Sequence, residues 1–95
     1  MKIDRERVEE ICRRNDIDTL LLFGSVARGE ETEESDVDLL VRFARPKSLL
    51  DLVRIEREFS EALGRKVDLL TEGALSPYLR ERILGEAAVL YERAA

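Results

Sequence analysis

Residues 20–41 decide the fold of this chain, and they read LLLFGSVARGEETEESDVDLLV. The apolar run at residues 20–23 has the length and composition of a buried β-strand. Gly24-Ser25 follows it and predicts a turn that starts a short helix. The polar residues 30–35 then predict a loop that leads into a second strand over residues 36–43. This stretch therefore predicts strand, short helix, loop and strand in that order.

The rest of the chain predicts further helices and strands in alternation. Val8, Ile11 and Cys12 lie at helical spacing and predict a helix over residues 4–14. Proline, serine and glycine mark the other boundaries. They predict a helix from 46 to about 63 that ends at Gly64, a strand at 66–71, and a helix from 76 that ends at Gly85. The segment at 88–91 is either a strand or a continuation of that helix. The pattern predicts one domain over residues 1–95, of the α/β (α+β) class, with a small mixed sheet covered by helices.

The spacing of apolar residues also predicts which side of each element faces the core. In the second strand, Val37, Leu39 and Val41 are expected on one face, and Asp36, Asp38 and Leu40 on the other. In the third strand, Asp68 is expected opposite Val67 and Leu69. The predicted inward residues of the two later helices are Leu49, Leu52, Val53, Phe59 and Leu63, and then Leu79, Ile83 and Leu84.

Composition excludes several classes of protein. The chain has 95 residues, 44% of them hydrophobic, and no histidine, which excludes Ser-His-Asp and Cys-His catalysis and His-ligated zinc. Its single cysteine, Cys12, is expected to pack in the core. The net charge of −5 argues against a surface that coats nucleic acid. The amino terminus does not resemble a signal peptide and the longest apolar run is too short to span a bilayer, so we expect a cytoplasmic protein.

Asp36 and Asp38 form the clearest candidate for a chemical site. Two residues apart on a strand, they place their carboxylates on one face with backbones roughly 6.5–7 Å apart. They are either solvated strand residues or a pair whose repulsion, at the mouth of a buried strand, is offset by a cation or by hydrogen bonds. Mg²⁺ is favoured because it prefers carboxylate and phosphate oxygens as ligands.

Gly24-Ser25 offers what a phosphate group needs. Glycine lets a ligand approach the backbone closely, and the turn supplies N–H groups and a hydroxyl. On its own, the same dipeptide is commonly only a tight turn with a helix cap. Its position before the aspartate pair favours the nucleotide-binding interpretation, since phosphate and metal would bind together.

These residues resemble the signature of the minimal nucleotidyltransferases, in the DNA polymerase β-like superfamily. The signature is Gly-Ser-x-x-Arg-Gly, a short loop and Ser-Asp-x-Asp-Leu, found here at residues 24–29 and 35–39. Residues 66–70 are similar to the third acidic strand of the family, and residues 84–91 to its usual ending. The resemblance implies the polymerase β-like nucleotidyltransferase palm.

The resemblance also implies roles for individual residues. Asp36 and Asp38 would coordinate two magnesium ions, and Asp68 would join the ion nearer the acceptor and help activate its hydroxyl. Gly24 and Ser25 would hold the β- and γ-phosphates of a nucleoside triphosphate, which the family implies is ATP. An acceptor oxygen would then attack the α-phosphorus in line, and pyrophosphate would leave.

Other charged residues have more than one interpretation. Asp68 could instead be an edge residue or an ion-pair partner. Arg28 could bind a phosphate or pair with Asp36, Glu30 or Glu31. Ser35 is expected to cap or orient the loop before the second strand. The acidic residues within 30–34 are interpreted as a solvated loop, and scattered surface charge is favoured over a basic patch for Arg42, Arg45, Lys47, Arg65 and Lys66.

Short stand-alone members of the family are similar to antitoxins that pair with a helical HEPN-domain protein. That resemblance implies an enzyme that transfers AMP to a hydroxyl of the partner, as the antitoxin of a toxin–antitoxin pair. The alternative is a non-catalytic binding module that neutralises its partner by occlusion. Transfer to a small molecule or a nucleic-acid end is a third possibility, disfavoured by the size and acidity of the chain. Mutually repelling carboxylates at a metal-site spacing favour the enzyme.

Overall fold

The structure, a computed structural model, describes residues 2–93 and alternates helices with strands. The elements are α1 (Arg5–Arg14), β1 (Ile17–Phe23), α2 (Gly24–Arg28), β2 (Val37–Phe43), α3 (Leu49–Leu63), β3 (Val67–Thr71), a 3₁₀ turn (Glu72–Ala74), α4 (Pro77–Glu86) and β4 (Ala88–Glu92). The order of elements agrees with the prediction from sequence, and the final segment is a strand.

The four strands form one mixed sheet in the order β3-β2-β1-β4. The central strand β1 is antiparallel to both β2 and β4, whereas β2 and β3 are parallel. The predicted mixed α+β architecture is confirmed. The end of β1 lies beside the start of β2, where Phe23 pairs with Asp38. The turn at Gly24, which follows Phe23, is therefore next to the start of β2.

Local sequence explains where the long helices begin and end. The Ser76 and Ser48 hydroxyls cap α4 and α3, and Ser48 forms a capping box with Asp51. Pro77 occupies the first turn of α4, where its missing N–H costs no hydrogen bond. Gly64 ends α3 with a φ of 67°, as its position in the sequence predicts. Gly85 does not end α4, which continues to Glu86.

Most of the core lies on one face of the sheet, under α1 and α3. Val37, Leu39 and Val41 of β2 all point to this face, as predicted. The helices supply five buried residues: Val8, Ile11, Cys12, Ile55 and Phe59. Cys12 is fully buried, which confirms its interpretation as a core residue, and this burial raises the pKa of its thiol to about 12.

The other face of the sheet is covered by α4 and by Leu75, which lies just before it. Its buried cluster consists of Phe23, Leu40 and Ile83. By alternation along the strands, Asp38 and Asp68 belong to this thinly covered face, with Leu40 and Leu70 beside them. The acidic side chains therefore lie on the side of the sheet that a ligand can reach.

Two predicted helix faces are partly wrong. Leu49 and Val53 of α3 are 76% and 50% exposed, and Ile55, which was not predicted to face inward, is fully buried. Val53 lies two positions before Ile55 and thus about 200° around the helix from it, on the exposed side. Leu49, four positions before Val53, lies on the same side as Val53. In α4, Leu79 and Leu84 are each 42% exposed and only Ile83 is buried. Only one narrow stripe of α4 contacts the sheet.

None of the helices within residues 2–93 combines the length and the apolar character needed to cross a membrane.

Candidate active site

Two aspartates, Asp38 and Asp68, share the α4 face of the sheet near the start of β2 and β3, and a third, Asp36, lies just before β2. Asp38 and Asp68 are direct neighbours in the parallel pair β2–β3, and adjacent strands lie about 4.8 Å apart. Asp36 comes two residues before Asp38, one residue before the first residue of β2 rather than inside the strand as predicted. The structure thus places Asp38 beside Asp68, with Asp36 next to the start of β2.

The environment of Asp38 disfavours its charged form. Burial is the main cause of its raised pKa, followed by the negative charges of Asp68 and Asp36. Arg28 opposes the shift, and Glu86 adds to it. Asp36 and Asp68 are therefore close enough to repel the charge of Asp38, and a bound cation would offset that repulsion.

Gly24 is in direct contact with the carboxylate of Asp38. It has a φ of 77°, and a Cβ at this position would collide with Asp38 Oδ2. From sequence, the predicted role of this glycine is to let a phosphate approach the backbone. The structure adds a second role, since only a hydrogen atom on the α-carbon leaves room for Asp38. The Gly24-Ser25 turn and the aspartates consequently form one site.

The donor set suits a hard divalent cation. Carboxylate oxygens are the ligands that Mg²⁺ prefers, and the repulsion around Asp38 gives the protein a reason to bind one. Within residues 2–93, no three acidic side chains are already gathered around a point where a metal ion could sit. Asp36 is turned toward Lys66, with 3.7 Å between its Oδ2 and the Lys66 Nζ. Asp36 and Asp38, with Asp68, are the residues that could hold the ion.

Arg28 lies beside the aspartates but forms ion pairs with two other residues. Its Nε donates to Glu30 Oε1 at 2.8 Å, and its Nη1 lies 3.3 Å from both carboxylate oxygens of Glu86. These two hydrogen-bonded partners raise the pKa of its guanidinium. The predicted pairing with Glu30 is confirmed. A role in phosphate binding stays a prediction.

Glu86 is a site residue that the sequence did not reveal. Besides Arg28, its Oε1 accepts a hydrogen bond from the N–H of Gly24 at 3.4 Å. Glu86 is the last residue of α4, 62 positions from Gly24 along the chain. No short motif links the two residues, and helix periodicity alone does not single out an exposed acid at a helix end.

A cavity of about 290 Å³ opens between α2 and α4. Its polar lining includes Gly24, Arg28 and Glu86, and its apolar lining includes Leu79 and Ile83. The partial exposure of Leu79, unexpected from the sequence, is explained by its position in this wall.

The loop before Asp36 is anchored by Arg65. The Arg65 Nη1 lies 2.9 Å from the carbonyl oxygen of Thr32 and 3.5 Å from Glu31 Oε2. The Glu31 side chain is only 21% exposed, so the interpretation of this acidic run as wholly solvated is wrong at Glu31. Ser35 Oγ accepts from the N–H of Thr32 at 2.8 Å, which confirms that Ser35 orients the loop.

Other basic residues pair individually with carboxylates. Arg42 pairs with Glu72, and Lys47 pairs with Asp16. Arg42 is exposed, whereas the Lys47 side chain is only 15% exposed, so the prediction of surface charge is wrong at Lys47.

Comparison with known proteins places the chain in a family. The family profile described as a nucleotidyltransferase domain matches residues 5–90. A candidate protein adenylyltransferase of Methanocaldococcus jannaschii, MJ0435, is 45% identical over 83 residues, which cover 87% of this chain and 89% of that protein. Protein adenylyltransferase MntA of Thermococcus cleftensis is 36% identical over 78 residues, covering 82% and 79% of the two chains.

Solved structures share the fold. The structure of a candidate minimal nucleotidyltransferase superposes with a TM-score of 0.78 at 45% identity, covering 88% of this chain and 86% of the other. A toxin–antitoxin structure with AMP-PNP gives a TM-score of 0.82 at 22% identity, covering 96% and 75%. A Shewanella oneidensis structure of a tri-AMPylated HEPN toxin with its MNT antitoxin gives 0.71 at 20% identity, covering 94% and 70%.

The family profile, the relatives and the residues of the site all indicate a nucleotidyltransferase. The chain therefore belongs to the nucleotidyltransferase domain family as a minimal nucleotidyltransferase, an enzyme of that kind.

Proposed function

We propose that this chain transfers AMP from ATP to an acceptor hydroxyl on a HEPN-type protein partner, in a Mg²⁺-dependent reaction, as the antitoxin of a toxin–antitoxin pair. The observation that carries the proposal is the contact of Asp38 with Gly24 on the face that also holds Asp68. The adenylyltransferase name of the Thermococcus relative and the AMPylated toxin in the Shewanella complex support the choice of AMP and of partner.

Each site residue has a role in this reaction. Asp36 and Asp38 would hold the metal ions, and Asp68 would join them on the acceptor side and orient the attacking hydroxyl. Gly24 and Ser25 would bind the β- and γ-phosphates through backbone N–H groups and the serine hydroxyl. Bound Mg²⁺ supplies positive charge for the entering and leaving oxygens. The acceptor oxygen would form a bond to the α-phosphorus and pass its proton to a base, for which Asp68 is the candidate, while the bond from the α-phosphorus to the pyrophosphate oxygen breaks.

A protein acceptor is favoured over a nucleic acid. With a net charge of −5, the chain lacks the excess of basic residues that phosphate backbones require. Leu49 and Leu50 of α3 are 76% and 82% exposed and lie next to each other, so they offer apolar surface that a protein partner can bury. Cytoplasmic location and one domain over residues 1–95 remain part of the proposal.

The alternative function is a non-catalytic module that neutralises its partner by occlusion. One observation favours it: Glu86 and Lys66 pair with Arg28 and Asp36, so internal partners satisfy part of the site. Nucleotide binding separates the two functions, since only the enzyme requires it.

The test is a calorimetric titration with Mg²⁺ and a non-hydrolysable ATP analogue. We expect Mg²⁺-dependent binding that is lost in Asp36→Asn. The matched control is Asp18→Asn, the same change near the opposite end of β1, which should bind as the wild type does. Absence of binding in the wild-type protein at millimolar nucleotide would refute the enzyme and favour the occluding module.

A further inference from the structure

A carboxylate from α4 occupies hydrogen-bond donors at both ends of α2. Glu86 Oε1 accepts from the Gly24 N–H at 3.4 Å, and both Glu86 oxygens lie 3.3 Å from Arg28 Nη1. The Arg28 and Glu86 side chains are 46% and 35% exposed, so the pair is accessible to a competing ligand.

Carboxylate and phosphate oxygens compete for donors of this type. A guanidinium binds either group through charge-assisted hydrogen bonds, and a backbone N–H donates a hydrogen bond to either. Glu86 also places a negative charge near Asp38, which adds to the negative charges of Asp36 and Asp68. Both effects would oppose the binding of a triphosphate. Glu86 occupies the hydrogen-bond donors of Gly24 and Arg28, and its negative charge repels a second anion.

Space for a ligand adjoins this pair. The cavity of about 290 Å³ between α2 and α4 has Gly24, Arg28 and Glu86 in its lining, together with a second guanidinium, that of Arg82. An anion that entered here would find two arginines and one carboxylate. Removal of the carboxylate charge would leave the lining more favourable to a phosphate group.

We propose that Glu86 sets the affinity of the protein for its nucleoside triphosphate: its carboxylate holds the Gly24 N–H and Arg28 in the nucleotide-free protein and leaves them when the triphosphate binds. This inference rests on the proposed function and assigns a residue outside the nucleotidyltransferase signature to the same site. An exposed ion pair of this type corresponds to an affinity factor of about 1.4- to 5-fold.

The experiment compares Glu86→Gln with the wild type in a calorimetric titration with AMP-PNP and Mg²⁺. Glutamine keeps the shape of the side chain and removes its charge, so the variant should bind about 1.4- to 5-fold more tightly. The control is Glu81→Gln, the same change at an exposed position of α4, five residues earlier and on another face of the helix. It should bind as the wild type does.

A measurement on the wild type covers the case in which Glu86→Gln does not fold. In a ¹⁵N-labelled sample, the amide resonance of Gly24 should shift when AMP-PNP and Mg²⁺ are added, because its acceptor changes from Glu86 to the ligand. A Gly24 resonance that stays in place at saturating nucleotide would show that Glu86 is not displaced and would overturn the inference.

The other outcomes are also decisive. If the wild type binds AMP-PNP and Glu86→Gln binds equally or more weakly, the inference is wrong while the proposed function stands. An equal gain in Glu81→Gln would show a general charge effect and would also refute it. If neither the wild type nor Glu86→Gln binds, the proposed function fails, and the inference fails with it.

Discussion

Replacement of Gly24 by alanine tests the contact that joins the two halves of the site. At a φ of 77°, an L-residue costs about 1–2 kcal/mol relative to glycine. The added methyl would also lie 3.0 Å from Asp38 Cγ and 3.3 Å from Asp38 Cβ, so rotation of the carboxylate alone does not clear it. Overpacking of this type adds about 1–3 kcal/mol. We expect Gly24→Ala to lower the free energy of unfolding by about 2–5 kcal/mol.

Gly64→Ala is the matched control for backbone strain. Gly64 has a φ of 67°, and a Cβ there would meet nothing within 4 Å. It should therefore lose only the strain contribution of about 1–2 kcal/mol. For a domain of this size, each kcal/mol lowers the melting temperature by about 4–8 °C.

Urea unfolding and calorimetric nucleotide binding together give the result. Gly64→Ala should bind Mg²⁺ and AMP-PNP as the wild type does. Gly24→Ala should lose most of its binding even under conditions where it is folded, because Asp38 has moved. If the two variants lose the same stability and both bind nucleotide normally, the steric argument about Asp38 is wrong.

Two further predictions concern titratable groups. In metal-free protein, the raised pKa of Asp38 means that the folded state holds this proton to higher pH than the unfolded state, so stability falls as pH rises from about 4 through the folded pKa. Asp38→Asn should remove that loss and be more stable than the wild type at pH 7. Urea unfolding in EDTA at pH 3.5 and pH 7 checks this, and an equal difference in stability between variant and wild type at both pH values would contradict it. Cys12, buried and with a pKa of about 12, should react with a thiol reagent only when the protein unfolds, so rapid labelling of the native protein at pH 8 would contradict its place in the core.

The long-range partners of the site could not be predicted from sequence. From distant positions in the chain, Glu86 contacts the Gly24–Arg28 helix, and Arg65 and Lys66 contact the loop and the aspartate that follow it. These contacts depend on how α4 packs against the sheet and on the pairing of β3 with β2 inside it. The exposed sides of α3 and α4 were mispredicted for a related reason. Apolar residues occur around more than half of each helix, and only packing selects the buried stripe.

By itself, the amino-acid sequence determined the order of helices and strands as far as α4, the side of β2 that faces the core, and the minimal nucleotidyltransferase family. These properties depend on local periodicity, capping residues and a short motif, all of which act within a few neighbouring positions. Only the tertiary structure decided that β3 lies parallel to β2, which places Asp68 beside Asp38. It also decided that Asp38 fills the space over Gly24 and that Glu86 holds Arg28, because these contacts join segments that meet only when the sheet has formed.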